Sequence, residues 1–278
     1  MRLLIHLGLV IPVEGKPIED AGLVVDGALI KDVGPWLAVR RRHAKLPTLV
    51  ARDLVAIPGL VNAHAHLELT GLRGKIRFDG DFTDWVRQIL IYKKHWEKPD
   101  FDQQIDRGLS ELVDGGCTTV GDHSTMGYSH DRMERAGVRG ISFIEVVQFD
   151  PAKQGPLREV TSKFLKGKKS GRVQKGIAVH APYSVSGEFT AWAARRKVPL
   201  STHMSELKEE LDFIARDNAK NPFRLLLEQR GMWNEDWVAP RTSPPKYFHK
   251  LGFNDYAAVH ANYPLPGDAQ VLKRHAAG

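Results

Sequence analysis

The sequence contains a single cysteine, Cys117, among its 278 residues. One cysteine excludes an internal disulfide framework, which needs pairs, and it excludes any zinc site built on several thiolates. The cysteine-ligated zinc centre of nucleic-acid deaminases is ruled out for the same reason. A metal site in this chain must therefore be built from histidine and carboxylate side chains.

Long hydrophobic runs are also missing. No stretch approaches the roughly 20 apolar residues that a membrane-spanning helix needs. Residues 3–13 are apolar enough for the core of a signal peptide, but His6 interrupts them and no small-residue cleavage site follows. The sequence predicts a soluble, cytoplasmic protein that does not bind a membrane.

Aromatic residues make up 8% of the chain and do not alternate with its basic residues. The net charge of +7 permits nucleic-acid binding, yet the basic residues form separate clusters such as residues 40–42, and no nucleic-acid motif is present. Solvated loops and helix faces explain these clusters. We expect a small-molecule substrate and no nucleic-acid partner, and we leave self-association into a homo-oligomer open.

The chain is long enough for one large domain and a small companion. Residues 1–57 predict a small β domain, because short apolar segments alternate with turns and Asp26-Gly27 is a hairpin signal. The predicted strands of this domain are residues 3–10, 22–25, 28–33 and 48–56.

From residue 58 to residue 278, apolar strands alternate with polar-faced helices, which predicts an α/β domain with a parallel sheet, open or closed into a barrel. Residues 232–248 are rich in proline and tryptophan and predict an ordered loop. The predicted strands are residues 57–64, 117–122, 140–147, 176–180, 198–203 and 256–260. The predicted helices are residues 82–96, 101–115, 188–196 and 206–218, with an amphipathic helix after residues 221–223 and another helix after the sixth strand.

His64 and His66 form a His-x-His pair at the end of the first of these strands. Alternate residues of a strand point to the same face, so the two imidazoles lie side by side and can supply half of a zinc-like site. An isolated pair of this kind is more often two unrelated histidines, so the rest of the chain has to decide.

Three more histidines, His180, His203 and His260, each close a predicted strand. The carboxyl ends of the strands of a parallel barrel converge on the active site, so five histidines there are hard to explain by packing. The other seven sit mostly in helices or loops, where exposure or local hydrogen bonding explains them. Among these only His123, which directly follows a strand, is kept as a candidate.

Glu206 follows His203 by three residues and has two interpretations. Its carboxylate could transfer protons beside a metal-bound water. Alternatively it could sit at a helix N-terminus with Ser205 as the cap. The neighbouring histidine favours the first interpretation.

Five motifs together resemble the amidohydrolase superfamily, and within it the aminohydrolase branch. The group that contains aminodeoxyfutalosine deaminases is the most similar, on HLE at 66–68, FTDWV at 82–86 and NPF at 221–223. The five motifs are PGLVNAHAHLE at 58–68, GCTTVGD at 116–122, HAPYSVS at 180–186, HMSE at 203–206 and VHANY at 259–263.

The resemblance implies a TIM-type (β/α) barrel and a role for each motif residue. His64, His66 and His203 would bind one divalent metal ion, zinc or iron. Glu206 would shuttle protons and His260 would assist deprotonation of the attacking water. His180 and Trp85 would contact the substrate.

The resemblance also has departures. The bridging lysine of dinuclear relatives is not matched, since Lys175 lies at the start of its strand. A ribose-binding glutamate of adenosylhomocysteine deaminases corresponds to the basic stretch at residues 90–94. The family's last metal ligand, an aspartate on an eighth strand, is not matched either, so we expect the sequence to be a fragment with six barrel strands.

The predicted function is that of a metal-dependent hydrolytic deaminase acting on a purine-like or nucleoside-derived small molecule. Two alternatives stay open at this point. One is a hydrolase that removes another leaving group, chloride or amide, on the same fold. The other is a catalytically inactive scaffold.

Overall fold

The computed structural model describes residues 1–167 and 171–275. Contacts divide the chain into two compact units, Met1–Leu60 and Val61–Gly278. The domain boundary between residues 57 and 58 stays a prediction, and residues 168–170 and 276–278 of the predicted second domain lie outside the described residues.

The first unit is built on a four-stranded sheet. The strands are β1 (Arg2–Val10), β2 (Ile18–Asp26), β3 (Leu29–Pro35) and β4 (Thr48–Ala56). Their order in the sheet is β3-β2-β1-β4, and β1 pairs antiparallel with β2 and parallel with β4. The pairing of Asp26 with Leu29 closes a hairpin at the predicted turn, where Gly27 has a φ of +59°.

A short helix, α1 (Trp36–Arg42), also belongs to this unit and was not predicted. Val39 is its one buried residue, and it lies so close to Gly22 that a Cβ there would be 2.8 Å from the Cβ of Val39. A helix that buries a single side chain leaves almost no periodicity in the sequence, which is why strands alone were expected here.

The second unit contains a six-stranded parallel sheet. The strands are β5 (Leu60–Ala65), β6 (Cys117–Thr125), β7 (Arg139–Val146), β8 (Val173–Val179), β9 (Leu200–Met204) and β10 (Tyr256–His260). Their order in the sheet is β10-β9-β8-β7-β6-β5. This arrangement confirms the predicted α/β class: an incomplete TIM-type barrel, with a small β sheet in the N-terminal part of the chain.

Helices and two 3₁₀ segments, Leu67–Leu72 and Pro151–Lys153, connect these strands. Three of the helices, α4 (Ser129–Ala136), α5 (Gly155–Lys166) and α9 (Pro244–Lys250), were not predicted, and α9 overlaps the segment expected to be a loop. Its two prolines occupy the first turn, where the missing N–H groups cost no hydrogen bond. The helices are α2 (Phe82–Lys93), α3 (Lys98–Asp114), α4 (Ser129–Ala136), α5 (Gly155–Lys166), α6 (Gly187–Ala194), α7 (Lys208–Ala215), α8 (Pro222–Gln229), α9 (Pro244–Lys250) and α10 (Asp268–His275).

The alternation of side chains along β7 separates the helix-facing core from the interior of the barrel. Ile144 and Val146 pack in a hydrophobic cluster with Phe189 of α6. The intervening residue Glu145 therefore lies on the opposite face, inside the barrel. The same alternation on β9 places His203 on the interior face.

Candidate active site

Three of the predicted site residues, His64, His66 and His203, bring one ring nitrogen each to a common point. The Nε2 atom of His203 lies 3.2 Å from Nε2 of His64 and 3.3 Å from Nε2 of His66. His64 is on β5, His66 directly follows that strand, and His203 is on β9. Residues 137 positions apart in the chain therefore meet because both strands end at the same edge of the sheet.

The nitrogens of this cluster have the chemistry and spacing of a metal site. His203 Nδ1 donates a hydrogen bond to the carbonyl oxygen of His180 at 2.9 Å, which leaves the lone pair on Nε2. A tetrahedral ion with bonds of 2.0–2.1 Å holds its ligand atoms about 3.3–3.4 Å apart. The observed separations match this spacing, so the residues present fit a zinc-like divalent ion.

Burial favours the neutral form of two of these imidazoles, and the neutral form is the one that binds metals. Loss of solvation, reinforced by the neighbouring histidines, lowers the pKa of His64 to about 3 and that of His203 well below its usual value. His64 and His203 are therefore neutral at neutral pH, and each keeps a lone pair for a metal ion.

His123 and Glu145 lie directly behind this cluster, and the sequence analysis assigned a role to neither. His123 belongs to the group of potential ligands formed by His64, His66 and His203, and its Nε2 lies 2.9 Å from the Ser201 hydroxyl. Glu145 interrupts an apolar strand, and that interruption was the available signal. Burial raises the pKa of Glu145, but the adjacent histidines, His66 first, outweigh this effect and hold the pKa well below its usual value.

Glu206 and His260 face each other beside the cluster. The Nε2 atom of His260 lies 3.4 Å from Oε1 of Glu206, and its ring stacks on that of His203 with centroids 5.3 Å apart. Burial raises the pKa of Glu206 above its usual value, which favours proton uptake by this carboxylate. The structure thus brings both predicted proton-transfer residues to the same place.

A buried carboxylate from α7 holds the segment that carries Glu206. The side chain of Glu210 accepts hydrogen bonds from the backbone N–H groups of Ser205, at 2.7 Å, and Glu206, at 2.9 Å. Ser205 has a φ of +50° and does not cap a helix, because α7 begins at Lys208 with Leu207 at the cap position. The helix-cap interpretation of Glu206 is therefore wrong.

A cavity of about 520 Å³ extends from the histidines, and both predicted substrate contacts, Trp85 and His180, line it. Its basic residue Lys93 forms an ion pair with Glu68. Arg230 also lines it, and the described parts of the chain give its guanidinium no hydrogen bond or ion pair. The apolar wall includes Phe82, Val86, Ile89, Leu90, Leu157, Phe223, Leu226 and Leu227.

Comparison with known proteins identifies the family. The model of the amidohydrolase family matches residues 55–277. The chain belongs to the amidohydrolase family. It is 28% identical over 267 residues to a 5-methylthioadenosine/S-adenosylhomocysteine deaminase of Carboxydothermus hydrogenoformans, a match that covers 92% of this chain and 56% of that relative.

Solved structures show the same fold. The crystal structure of Helicobacter pylori aminofutalosine deaminase has a TM-score of 0.81 and 21% identity, covering 98% of this chain and 66% of that one. An adenosine deaminase from Xanthomonas campestris, solved with bound zinc, has a TM-score of 0.75 and 22% identity, covering 99% and 61%. The chain thus spans a little over half the length of the curated relative and under two thirds of these structures.

No helix within residues 1–167 and 171–275 is both long enough and apolar enough to cross a bilayer.

Proposed function

We propose that this protein is a metal-dependent hydrolytic deaminase of a purine-like or nucleoside-derived small molecule. The observation that carries the proposal is the meeting of three imidazole nitrogens at 3.2–3.3 Å beside a carboxylate of raised pKa. The cavity that opens from them, at about 520 Å³, is within the usual range of small-molecule sites. The relatives' names agree with this class of reaction.

His64, His66 and His203 are the proposed ligands of one divalent ion, zinc or iron. A bound ion of this kind lowers the pKa of water from 15.7 towards about 7 and so supplies a nucleophile at neutral pH. Lys175, the residue considered for a dinuclear site, donates a hydrogen bond to the carbonyl oxygen of Phe164 at 2.9 Å and does not approach the cluster. This contact supports a single ion.

Glu206 and His260 carry the proton transfers in this proposal. Glu206 accepts a proton from water and gives it to the ring nitrogen of the substrate. It then takes the remaining proton of the added water oxygen and passes it to the departing amine. A C–O bond forms, the C–N bond breaks, and ammonia leaves. His260, at 3.4 Å from Glu206, hydrogen-bonds the attacking water and assists its deprotonation.

His180 and Trp85 are the proposed substrate contacts. Burial lowers the pKa of His180 to about 4, so the imidazole is neutral and can donate or accept a single hydrogen bond to the substrate. Trp85 offers a flat apolar face for a heterocycle. We keep the predictions of no nucleic-acid partner, no membrane partner and a cytoplasmic location, and we leave a homo-oligomer open.

The experiment is direct. The zinc- or iron-loaded protein is incubated with 5′-deoxyadenosine, 5-methylthioadenosine and S-adenosylhomocysteine, and ammonia release is followed together with the spectral change from adenine to hypoxanthine. We expect turnover of at least one compound, and none after removal of the ion. Metal binding without ammonia release from any purine nucleoside would contradict the proposal and favour another leaving group or an inactive scaffold.

A further inference from the structure

Glu145 has no assigned role, yet its carboxylate is the convergence point of three imidazoles. Oε1 lies 3.4 Å from Nδ1 of His123 and 3.9 Å from Nδ1 of His203, and Oε2 lies 3.9 Å from Nδ1 of His66. In every case the carboxylate faces Nδ1, the nitrogen on the far side of the ring from Nε2. For His66 and His203, Nε2 is the atom directed at the proposed ion.

Of these histidines, His66 depends most on Glu145. His203 already donates its Nδ1 proton to the carbonyl oxygen of His180. His66 follows the end of β5, and Glu145 is the one carboxylate within 4.0 Å of its Nδ1 in the described chain. Among the described residues, no other hydrogen-bonding or acidic partner faces Nδ1 of His66.

The burial of Glu145 argues against a purely structural role. Its side chain is only 12% exposed, and Oε1 is buried without a hydrogen-bond partner among the described residues. His123 Nδ1, which faces it at 3.4 Å, is also buried and makes no hydrogen bond to the described residues. A buried carboxylate with an unsatisfied oxygen costs stability, so an apolar residue at this position of β7 would pack better.

A metal centre explains this arrangement. A ligating histidine typically donates its second N–H to a carboxylate, which fixes the tautomer and ring orientation and increases the basicity of the ligating nitrogen. The observed distances of 3.4–3.9 Å exceed hydrogen-bond length, and they keep the carboxylate within ion-pair range of each ring. The carboxylate also brings a negative charge next to the place where a divalent charge would sit.

We propose that Glu145 is a positioning residue of the metal centre, which holds the Nδ1 proton of His66 and thereby directs Nε2 of His66 at the ion. This inference rests on the proposed metal-dependent function. In this proposal Glu145 is not itself a ligand of the ion, and His123 is a second imidazole whose Nδ1 faces the same carboxylate.

The test compares Zn²⁺ affinities of the 278-residue protein and its Glu145→Gln variant, measured by competition with a chromophoric chelator. Glutamine preserves the shape and an acceptor oxygen but removes the charge. We expect the dissociation constant for Zn²⁺ to rise about 10- to 100-fold, the usual effect of removing an outer carboxylate partner. Thermal unfolding of the metal-free variant establishes that it is folded before the affinities are compared.

Glu134→Gln is the matched control. The Glu134 side chain accepts a hydrogen bond from the backbone N–H of Val173 at 2.9 Å and contacts no histidine among the described residues. This variant should bind Zn²⁺ as the parent does. With Co²⁺ in place of Zn²⁺, the visible spectrum, which reports ligand geometry, should change for Glu145→Gln and not for Glu134→Gln.

A parental Zn²⁺ affinity in Glu145→Gln would overturn the inference. If that variant does not fold, Glu145→Asp replaces it in the test, because aspartate keeps the charge but withdraws the carboxylate by one methylene. A parental Zn²⁺ affinity in Glu145→Asp would then overturn the inference. Failure of the proposed function looks different. The parent would then bind Zn²⁺ without releasing ammonia, while the ratio of dissociation constants would still decide the role of Glu145.

Discussion

We expect the metal-free protein to lose stability steeply as the pH falls from about 6.5 to about 4, because buried histidines are held neutral in the folded state. The clearest is His180, whose pKa falls from 6.5 to about 4, chiefly through burial. In this window the unfolded chain binds a proton at His180 and the folded protein does not. Stability is therefore fully present above pH 6.5 and falls as the pH drops towards 4.

The size of the effect follows from the shift. At about pH 5.5, one histidine that titrates normally only when unfolded costs about 1.4 kcal/mol of folding free energy. His123 and His203 are almost completely buried, and burial lowers the pKa of each, so they add to the loss. The loss from His180 alone is already a sizeable part of a typical domain stability of about 5–15 kcal/mol.

The assay is urea unfolding of the metal-free protein across this pH range, with His180→Gln as the variant and the exposed His95→Gln as the control. The slope of unfolding free energy against pH should fall by about one proton in His180→Gln and should not change in His95→Gln. A parent slope near zero, or identical slopes in parent and His180→Gln, would refute the assignment of neutral buried histidines.

Three further predictions concern individual side chains. Glu206→Gln should keep the parental metal content and lower deamination by about 10²–10⁴-fold, measured as ammonia release; loss of metal with normal turnover of the remaining loaded protein would make Glu206 a ligand instead. Arg230 lines the cavity without an acidic partner in the described chain. Arg230→Gln should therefore raise KM roughly tenfold for a purine nucleoside that bears a carboxylate or phosphate, and leave KM for 5′-deoxyadenosine unchanged. Equal effects on the KM of both substrates would contradict this prediction. Gly121→Ala should destabilise the protein by about 1–3 kcal/mol in urea unfolding, since its Cβ would lie 2.3 Å from the carbonyl oxygen of Ala63; parental stability would show that β5 and β6 can separate.

The sequence predicted the sheet and the cluster for one physical reason. In parallel strands the carboxyl ends lie at one edge, so a histidine that closes a strand is placed near any other that does the same. This rule brought His64, His66 and His203 together without knowledge of strand order. Helices that bury few residues, such as α1, gave no comparable periodic signal and were missed.

Other features of the site depend on contacts that no local pattern encodes. Alternation along β10 would put His260 on the face of Tyr256, which packs in the outer core. Instead its backbone adopts a φ of +73° and its ring stacks on His203. Likewise, Glu145 is a single acidic residue in the apolar strand β7, and the sequence does not predict which histidines its carboxylate faces.

By itself the sequence determined the class of fold, the edge of the sheet that carries the site, and the nitrogen donors gathered there, because these follow from strand polarity and residue type. The tertiary structure decided which ring nitrogen each histidine presents, that Glu145 lies behind His66, and that Glu210 holds the backbone of Glu206. Those contacts join residues far apart in the chain, and their distances are set only when the strands pack side by side.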